Sequence, residues 1–418
     1  MSIDRRAPLL LDLLRRRNSL NALRLLLAVT VIIAHAWPIG GFGDVPRLGQ
    51  VPLGTLAVAG FFALSGWLIT QSRLSSELPG FAWRRFLRIY PGYLGSLLVV
   101  AFVAAPIGSA LGAGPYRLGD GMHHVLANLT LQVQDYAVGA TPQAVPYPGA
   151  WNGSLWTLYY EGICYVAVGL LVTVVGRRWT RSAVVAAWIT LTALAVGQWE
   201  FGLRVRFDVD TFLTLAPWFF AGAVLAVFRD RLIAHGGLAA ASGGTVVLVL
   251  ALGLPPAAAA LPLAYALLWL GAVLPLHAVG KRNDISYGMY VYAFPVQQLL
   301  VLLGAHEAGV VPYIVLSTVA TVPLALLSWL VVEHPAQRLR GAADRFPLVR
   351  SGASVRRRPP LPTGPPARTA EPPAAAAPGG GGGGGGGAAP PPPPPRAGPA
   401  RRGPARGGPP PTRSTARR

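Results

Sequence analysis

The chain has 418 residues, enough for two or three soluble domains. Charged residues make up only 12% of it, about half the soluble-protein norm, while apolar residues reach 52% and the mean hydropathy is +0.46. That balance excludes a string of soluble domains and points to an integral membrane protein. Cys164 is the single cysteine, which excludes a disulfide framework and any Cys-rich zinc or iron–sulfur site. The net charge is +20, yet the arginines are dispersed between apolar segments and not gathered on one face, which argues against nucleic acid as a partner.

In chain order, residues 1–18 form a basic arm, and residues 19–340 carry ten apolar segments, each near the roughly 20 residues that cross a bilayer. The segments lie near 19–39, 52–71, 90–111, 153–175, 182–199, 210–228, 237–254, 257–279, 285–303 and 311–332. The first is as long as a full span, so no cleavable signal peptide is expected. Arginine placement orients the spans. With a cytoplasmic N-terminus, the inner side holds Arg5, Arg6, Arg15, Arg16, Arg17, Arg73, Arg84, Arg85, Arg88, Arg177, Arg178, Arg181, Arg229, Arg231, Lys281 and Arg282. The outer side holds Arg47, Arg117, Arg204 and Arg206. The positive-inside rule therefore predicts an all-α integral membrane protein with about ten transmembrane helices, both termini cytoplasmic, in the cell's inner membrane.

The longest connection, about 112–152, falls outside and ends in an aromatic stretch from Val145 to Trp151. A loop of that length is a functional element or lid, while Tyr147 and Trp151 fit an interfacial aromatic belt equally well. His123 and His124 lack a nearby third ligand, so no metal site is expected. Residues 341–418 are rich in Pro, Gly and Arg, with a nine-glycine run from Gly379 and a six-proline run from Pro390. Such a segment cannot bury a core and is expected to be disordered; its arginines suit anionic membrane lipids as a partner, and a functionless, compositionally biased extension explains the segment equally well.

Ionisable groups within spans are costly and are the first place to look for chemistry. Arg24 and His35 stand 11 positions apart, close to three helical turns, and so share one face of the first span about 16 Å apart along its axis. Snorkelling explains Arg24 alone, and a packing hydrogen bond explains His35 alone. Together they suggest a lined pathway. Glu161 sits about eight residues into the fourth span at a depth similar to that of His35, with Ser154 seven positions earlier on the same face. A carboxylate beside a histidine fixes its tautomer and makes it a general base for a hydroxyl; an interhelical structural bond is the alternative. Arg84, Arg85 and Arg88 gather on a helix at spacings of three and four, suited to phosphate oxygens or equally to lipid headgroups.

These fragments together resemble the acyltransferase 3 family of multi-span membrane O-acyltransferases, over about residues 18–340. Arg24 and His35 fit its Arg-x10-His element, and Phe61-Phe-Ala-Leu-Ser-Gly66-Trp-Leu-Ile69 is similar to its second-span motif. Arg84-Arg85-x-x-Arg88-Ile-x-Pro91, Ser154-Leu-Trp156 through Glu161 and Tyr165, Ile285-Ser-Tyr287-Gly-Met-Tyr290, and Glu333-x-Pro335 follow in the family's order. Many members carry a histidine just after the ninth-span motif. Here Val291-Tyr-Ala293-Phe-Pro295 has none, so the acceptor subtype tied to that histidine does not carry over.

The resemblance implies transfer of an acyl group, most often acetyl, from cytoplasmic acyl-CoA to a hydroxyl of an extracytoplasmic or lipid-linked glycan or similar acceptor. It implies no tightly bound cofactor, acetyl-CoA or another acyl-CoA serving as donor substrate. His35 and Glu161 are the implied catalytic pair, with an acyl-histidine intermediate as the mechanistic alternative. Arg24, Arg84, Arg85 and Arg88 would hold the donor's phosphates, and Ser154, Trp156 and Tyr287 would line the acceptor side. Ser65 and Ser154 read as packing residues, having no base at local spacing. A transporter or flippase using the same polar stripe is the competing class, but no internal repeat supports it.

Overall fold

The computed structural model describes residues 8–16 and 18–341. Residues 1–7, Arg17 and the segment 342–418, which takes in the Gly- and Pro-rich tail, lie outside the described residues. The described chain is mostly helical; its one sheet among those residues is a two-stranded hairpin, Arg47–Leu48 (β1) against Val51–Pro52 (β2). All ten predicted apolar segments are helical, and seven helical stretches are long and apolar enough to cross a membrane. A short helix, Leu10–Arg16 (α1), precedes the first span; Gly236–Ala251 (α9) and Ser286–Leu302 (α11) have 16 and 17 residues, and Val310–Ser328 (α12) follows them.

Two predicted boundaries change. The third span was expected to start near residue 90, but its helix begins at Leu78 (α4, Leu78–Val99) and runs through a π-helical turn, Val100–Ala104, to Ala110 (α5, Ala105–Ala110). Arg84, Arg85 and Arg88 therefore lie well inside a 33-residue helical stretch. The fourth and fifth predicted segments form one 46-residue helix, α7 (Trp156–Phe201), interrupted only at Gly176, whose φ of 67° and ψ of 171° are open to glycine. At 1.5 Å per residue such a helix is about 69 Å long, twice the hydrocarbon thickness, so a break near its middle lets it cross and return.

The core forms where Leu53–Leu74 (α3) and Phe207–Val227 (α8) cross. A Cβ on Gly66 would stand 1.8 Å from the Phe219 carbonyl oxygen, and one on Gly222 would stand 2.0 Å from that of Ala63. Only glycine permits this backbone approach, as in small-residue packing between membrane helices. Trp67, Leu64, Phe219 and Phe220 fill the seam and are buried. The opposite surfaces are apolar as well: Leu26, Val166, Val174, Val319 and Val331 are 60% or more exposed on their helices, as a lipid-facing belt requires.

The first span, α2 (Leu20–Gly40), ends at Gly41 in the left-handed conformation, its N–H returning to the Trp37 carbonyl. At its start Ser19 replaces local capping with a long-range clamp. Its Oγ donates to the Leu274 carbonyl and accepts from the Leu276 N–H, at 2.7 and 3.1 Å. Asn21 donates to the Gly280 carbonyl at 3.0 Å. The connection between Ala260–Val273 (α10) and α11 is thereby strapped to α2, which delivers Asp284 to Arg24.

The 112–152 connection is built, not loose. It holds a helix, Leu118–Ala127 (α6), followed by a turn organised by buried Asn128, whose Oδ1 accepts from the N–H groups of Gln134 and Asp135 at 2.7 and 3.1 Å. Trp151 is not an interfacial residue. It is fully buried, donates to Thr141 Oγ1 at 2.8 Å and packs over Val100, Ala104 and Ala105. Tyr147 is 41% exposed, its ring 5.8 Å from that of Phe294.

Candidate active site

Arg24 and His35 do share one face of α2, and each ends in a distinct polar environment. Around Arg24 the sequence reading lacked one residue, Asp284. Its Oδ2 accepts from Arg88 Nη2 at 2.6 Å and lies 3.5 Å from Arg24 Nη1, while its Oδ1 accepts from Ser286 Oγ at 2.6 Å. Burial opposes ionisation of Asp284, but the Arg88 and Arg24 guanidiniums and the bond from Ser286 outweigh it and hold its carboxyl well below the usual carboxylate range. Arg24 is therefore not simply snorkelling to an interface; it belongs to a two-arginine, one-carboxylate cluster. Arg88 also lies over the Tyr287 ring at 5.9 Å.

The three α4 arginines do not converge on a single point. Arg88 faces Asp284, whereas Arg85 lies over Phe81 at 6.0 Å in an apolar recess and its buried Nε has no partner among the described residues. Arg340 joins Arg84 and Arg88 as a third like charge, α13 (His334–Arg338) being tied to α4 by Trp83 Nε1 donating to the Leu339 carbonyl at 3.0 Å. Glu333 is buried nearby, accepting from Ser328 Oγ at 3.1 Å. This end carries an excess of guanidiniums over carboxylates, as an anion-binding mouth requires.

Glu161 lines a small cavity of about 40 Å³ together with Arg24, Ser286, Tyr287, Thr157 and Tyr290. The expected hydrogen bond between Glu161 and His35 is not formed. Glu161 Oε1 instead accepts from Ser65 Oγ and Tyr165 OH, both at 2.6 Å. Depth along two helices was matched, but the α3 face carrying Ser65 takes the carboxylate first. Ser65, which has no base at local spacing, thus gains a carboxylate 96 positions away. Tyr287 spends its hydroxyl on the Ile89 carbonyl at 2.8 Å and presents only its ring to the cavity.

His35 lines a second cavity of about 180 Å³, with Ser154, Trp156, Thr157, Pro52, Thr55 and Tyr290 in its wall. Its ring packs edge-on against Phe294 at 5.3 Å, and its Nδ1 is buried without a partner among the described residues. Ser154 Oγ is likewise buried and unpartnered there. Ser154 and Trp156 therefore stand with His35, while Glu161 and Tyr287 stand with Arg24. The two cavities share Val58, Thr157 and Tyr290. Tyr290 was visible in the ninth-span motif, but nothing in its local pattern marked it as the wall between two chambers. Gln298 on α11 ties down the end of the 112–152 connection, donating to the Tyr147 and Ala150 carbonyls at 2.7 and 2.9 Å. His124 donates from Nδ1 to the Ala137 carbonyl at 2.7 Å inside the loop, and no cluster of three metal-ligating side chains occurs among the described residues.

Residues 17–330 match the family described as an acyltransferase domain, the acyltransferase 3 family. The chain is 28% identical to "Nodulation protein 10" of Rhizobium leguminosarum bv. viciae over 359 residues, covering 78% of this chain and 94% of that protein. It is 27% identical to an "O-acetyl transferase" of Shigella phage Sf6 over 338 residues, covering 77% of this chain and 96% of that one. No solved structure matches.

Proposed function

Because the chain belongs to the acyltransferase 3 family and is a multi-pass membrane O-acyltransferase, we propose that it carries an acetyl group from cytoplasmic acyl-CoA to a hydroxyl of an extracytoplasmic or lipid-linked acceptor. One observation carries this reading: Arg24, at the guanidinium-rich end, and His35, whose buried Nδ1 has no partner among the described residues, lie on one helix, and the cavities at the two levels share a wall. The roughly 16 Å between Arg24 and His35 along α2 suits an extended pantetheine arm. The arginine end faces the cytoplasm in this reading, the chain crosses the inner membrane ten times, and both termini are cytoplasmic; the arginine distribution supports that orientation.

Arg24, Arg84 and Arg88 hold the donor's phosphates, Asp284 keeping Arg24 and Arg88 in register, while Arg85, turned into its apolar recess, stands apart from them. Glu161, fixed through one oxygen by Ser65 and Tyr165, has its other oxygen for an amide N–H of the donor arm. The thioester passes Thr157 and Tyr290 into the His35 cavity. There His35 removes the proton of the acceptor hydroxyl as its oxygen attacks the thioester carbon. The carbon–sulfur bond breaks, and the proton held by the imidazole passes to the CoA thiolate. Ser154 and Trp156 shape the acceptor's side of the cavity.

Purified protein in lipid vesicles, given acetyl-CoA, tests this assignment through donor binding and CoA release. Binding with slow release of free CoA supports it. Absence of both binding and release at millimolar donor contradicts it and favours a translocation role for the polar stripe.

A further inference from the structure

A third cavity, of about 250 Å³, opens beside the His35 chamber and plays no part in the mechanism above. Pro52 and Thr55 belong to the walls of both, so the two spaces adjoin at the first turn of α3. Its lining is of mixed chemistry. Trp218 is buried and Trp199 is 39% exposed, one on α8 and the other on the returning half of α7. Gln50, Gln198, Arg204 and Thr214 supply polar groups between them. Gln198 is fixed: its Nε2 donates to Asp210 Oδ1 at 2.6 Å, which leaves its carbonyl oxygen as an acceptor. Asp210 is held in turn by the Val205 N–H at 3.2 Å, so the Arg204 turn and the Gln198 amide are positioned by one carboxylate.

We propose that this cavity is the acceptor subsite and takes a polyhydroxylated ring of pyranose size, presenting one hydroxyl past Thr55 to His35. The inference rests on the acyl-CoA-dependent transfer proposed above. Flat indole surfaces match the apolar C–H face of such a ring, and two amides with a guanidinium match its hydroxyls as paired donors and acceptors. The volume suits one ring and falls below the roughly 300–1,000 Å³ of pockets that enclose drug-sized ligands. A purely interfacial tryptophan belt, the competing role, needs neither the fixed Gln198 nor a shared wall with the histidine chamber.

The test uses vesicle-reconstituted full-length protein, radiolabelled acetyl-CoA and a panel of methyl glycosides, with glycerol as an open-chain control. At least one glycoside is expected to accelerate CoA release and acquire label, while glycerol does not. In Trp199→Ala the KM for that glycoside rises about tenfold while the KM for acetyl-CoA moves less than twofold. Trp199→Phe, which keeps an aromatic face, restores most of the acceptor KM and excludes misfolding as the cause. Acceleration by a glycoside with a KM untouched in Trp199→Ala overturns the subsite and leaves Trp199 as a lipid anchor. Donor turnover that no glycoside accelerates overturns the ring chemistry alone. Absence of donor binding and turnover in the wild type overturns the acyl-CoA reading on which both rest.

Discussion

The hydroxyls of Thr157 and Tyr290 lie 2.5 Å apart in the wall shared by the Arg24–Glu161 cavity and the His35 cavity. Both also reach the Ser154 carbonyl, at 3.3 and 2.9 Å. The pair joins α7 to α11 between the two cavities. In the proposed mechanism the donor's reactive end passes here, and this partition of two hydroxyls and one carbonyl is expected to hold water back and to yield to substrate.

Tyr290→Phe removes the hydroxyl and opens that partition. A net loss of about 1 kcal/mol in stability is expected for the hydrogen bonds broken. The sharper expectation is functional: acetyl-CoA is lost to water faster, so the ratio of hydrolysis to transfer rises. An unchanged ratio, measured by label in free acetate against label in acceptor, contradicts the partition.

Asp284→Asn should be among the most damaging conservative changes at the arginine end. It leaves Arg24 and Arg88 facing a neutral group in a part-buried site, at a cost of about 3 kcal/mol, seen as a fall in Tm. The pH dependence follows from the depressed acidity of Asp284. A carboxylate held below its unfolded value stabilises fully above that value, and the stabilisation is lost progressively as pH falls from there through the lower, folded value. The Tm contribution of Asp284 is therefore flat between about pH 5 and 8. A wild-type-minus-Asn difference that changes across that range contradicts the ion-pair account.

Glu161→Gln separates the two roles open to that carboxylate. Bound to Ser65 and Tyr165 and not to His35, it should affect the donor's passage, raising the KM for acetyl-CoA about tenfold, or about 1.4 kcal/mol. The pH profile of kcat should keep its wild-type shape. A shifted kcat profile with an unchanged donor KM would restore a direct carboxylate–histidine couple.

His124 is expected to make the 112–152 connection pH-sensitive. Burial lowers its pKa, more than its bond to the Ala137 carbonyl and nearby Asp135 raise it. A histidine lowered on folding stabilises in its neutral form, so the contribution is complete above about pH 6.5 and lost as the pH falls below it. Limited proteolysis within residues 112–152 should accelerate between pH 7.5 and 5.5, and His124→Gln should remove most of that step. Equal steps in both proteins contradict the assignment.

What could be read from the sequence was whatever local periodicity governs. Apolar run length located ten helical segments, and the 11-residue spacing put Arg24 and His35 on one face of α2 because helical phase is set within a few turns. Asp284 could not be found that way. It lies 260 positions from Arg24 in a connection whose placement depends on Ser19 and Asn21 grasping distant carbonyls. Glu161 shows the same limit: its depth was legible, but its partner was decided by which neighbouring helix carried a hydroxyl, and that was Ser65 on α3. Trp151 resembled a belt residue because sequence does not reveal that Gly108 leaves a recess for its ring, where a Cβ would stand 2.3 Å from the indole. The pocket between Trp199 and Gln50 joins four separate stretches of chain, none with a motif of its own.

The most direct test of the account's central claim compares wild type with His35→Ala in lipid vesicles, measuring acetyl-CoA binding and CoA release on the same preparations. If His35 takes the acceptor's proton, release falls at least about 100-fold, the range for loss of a general base, while the Kd for acetyl-CoA stays within threefold. Parallel loss of binding and release, or release that survives the substitution, would show that His35 shapes the chamber and that the chemistry is carried by another group.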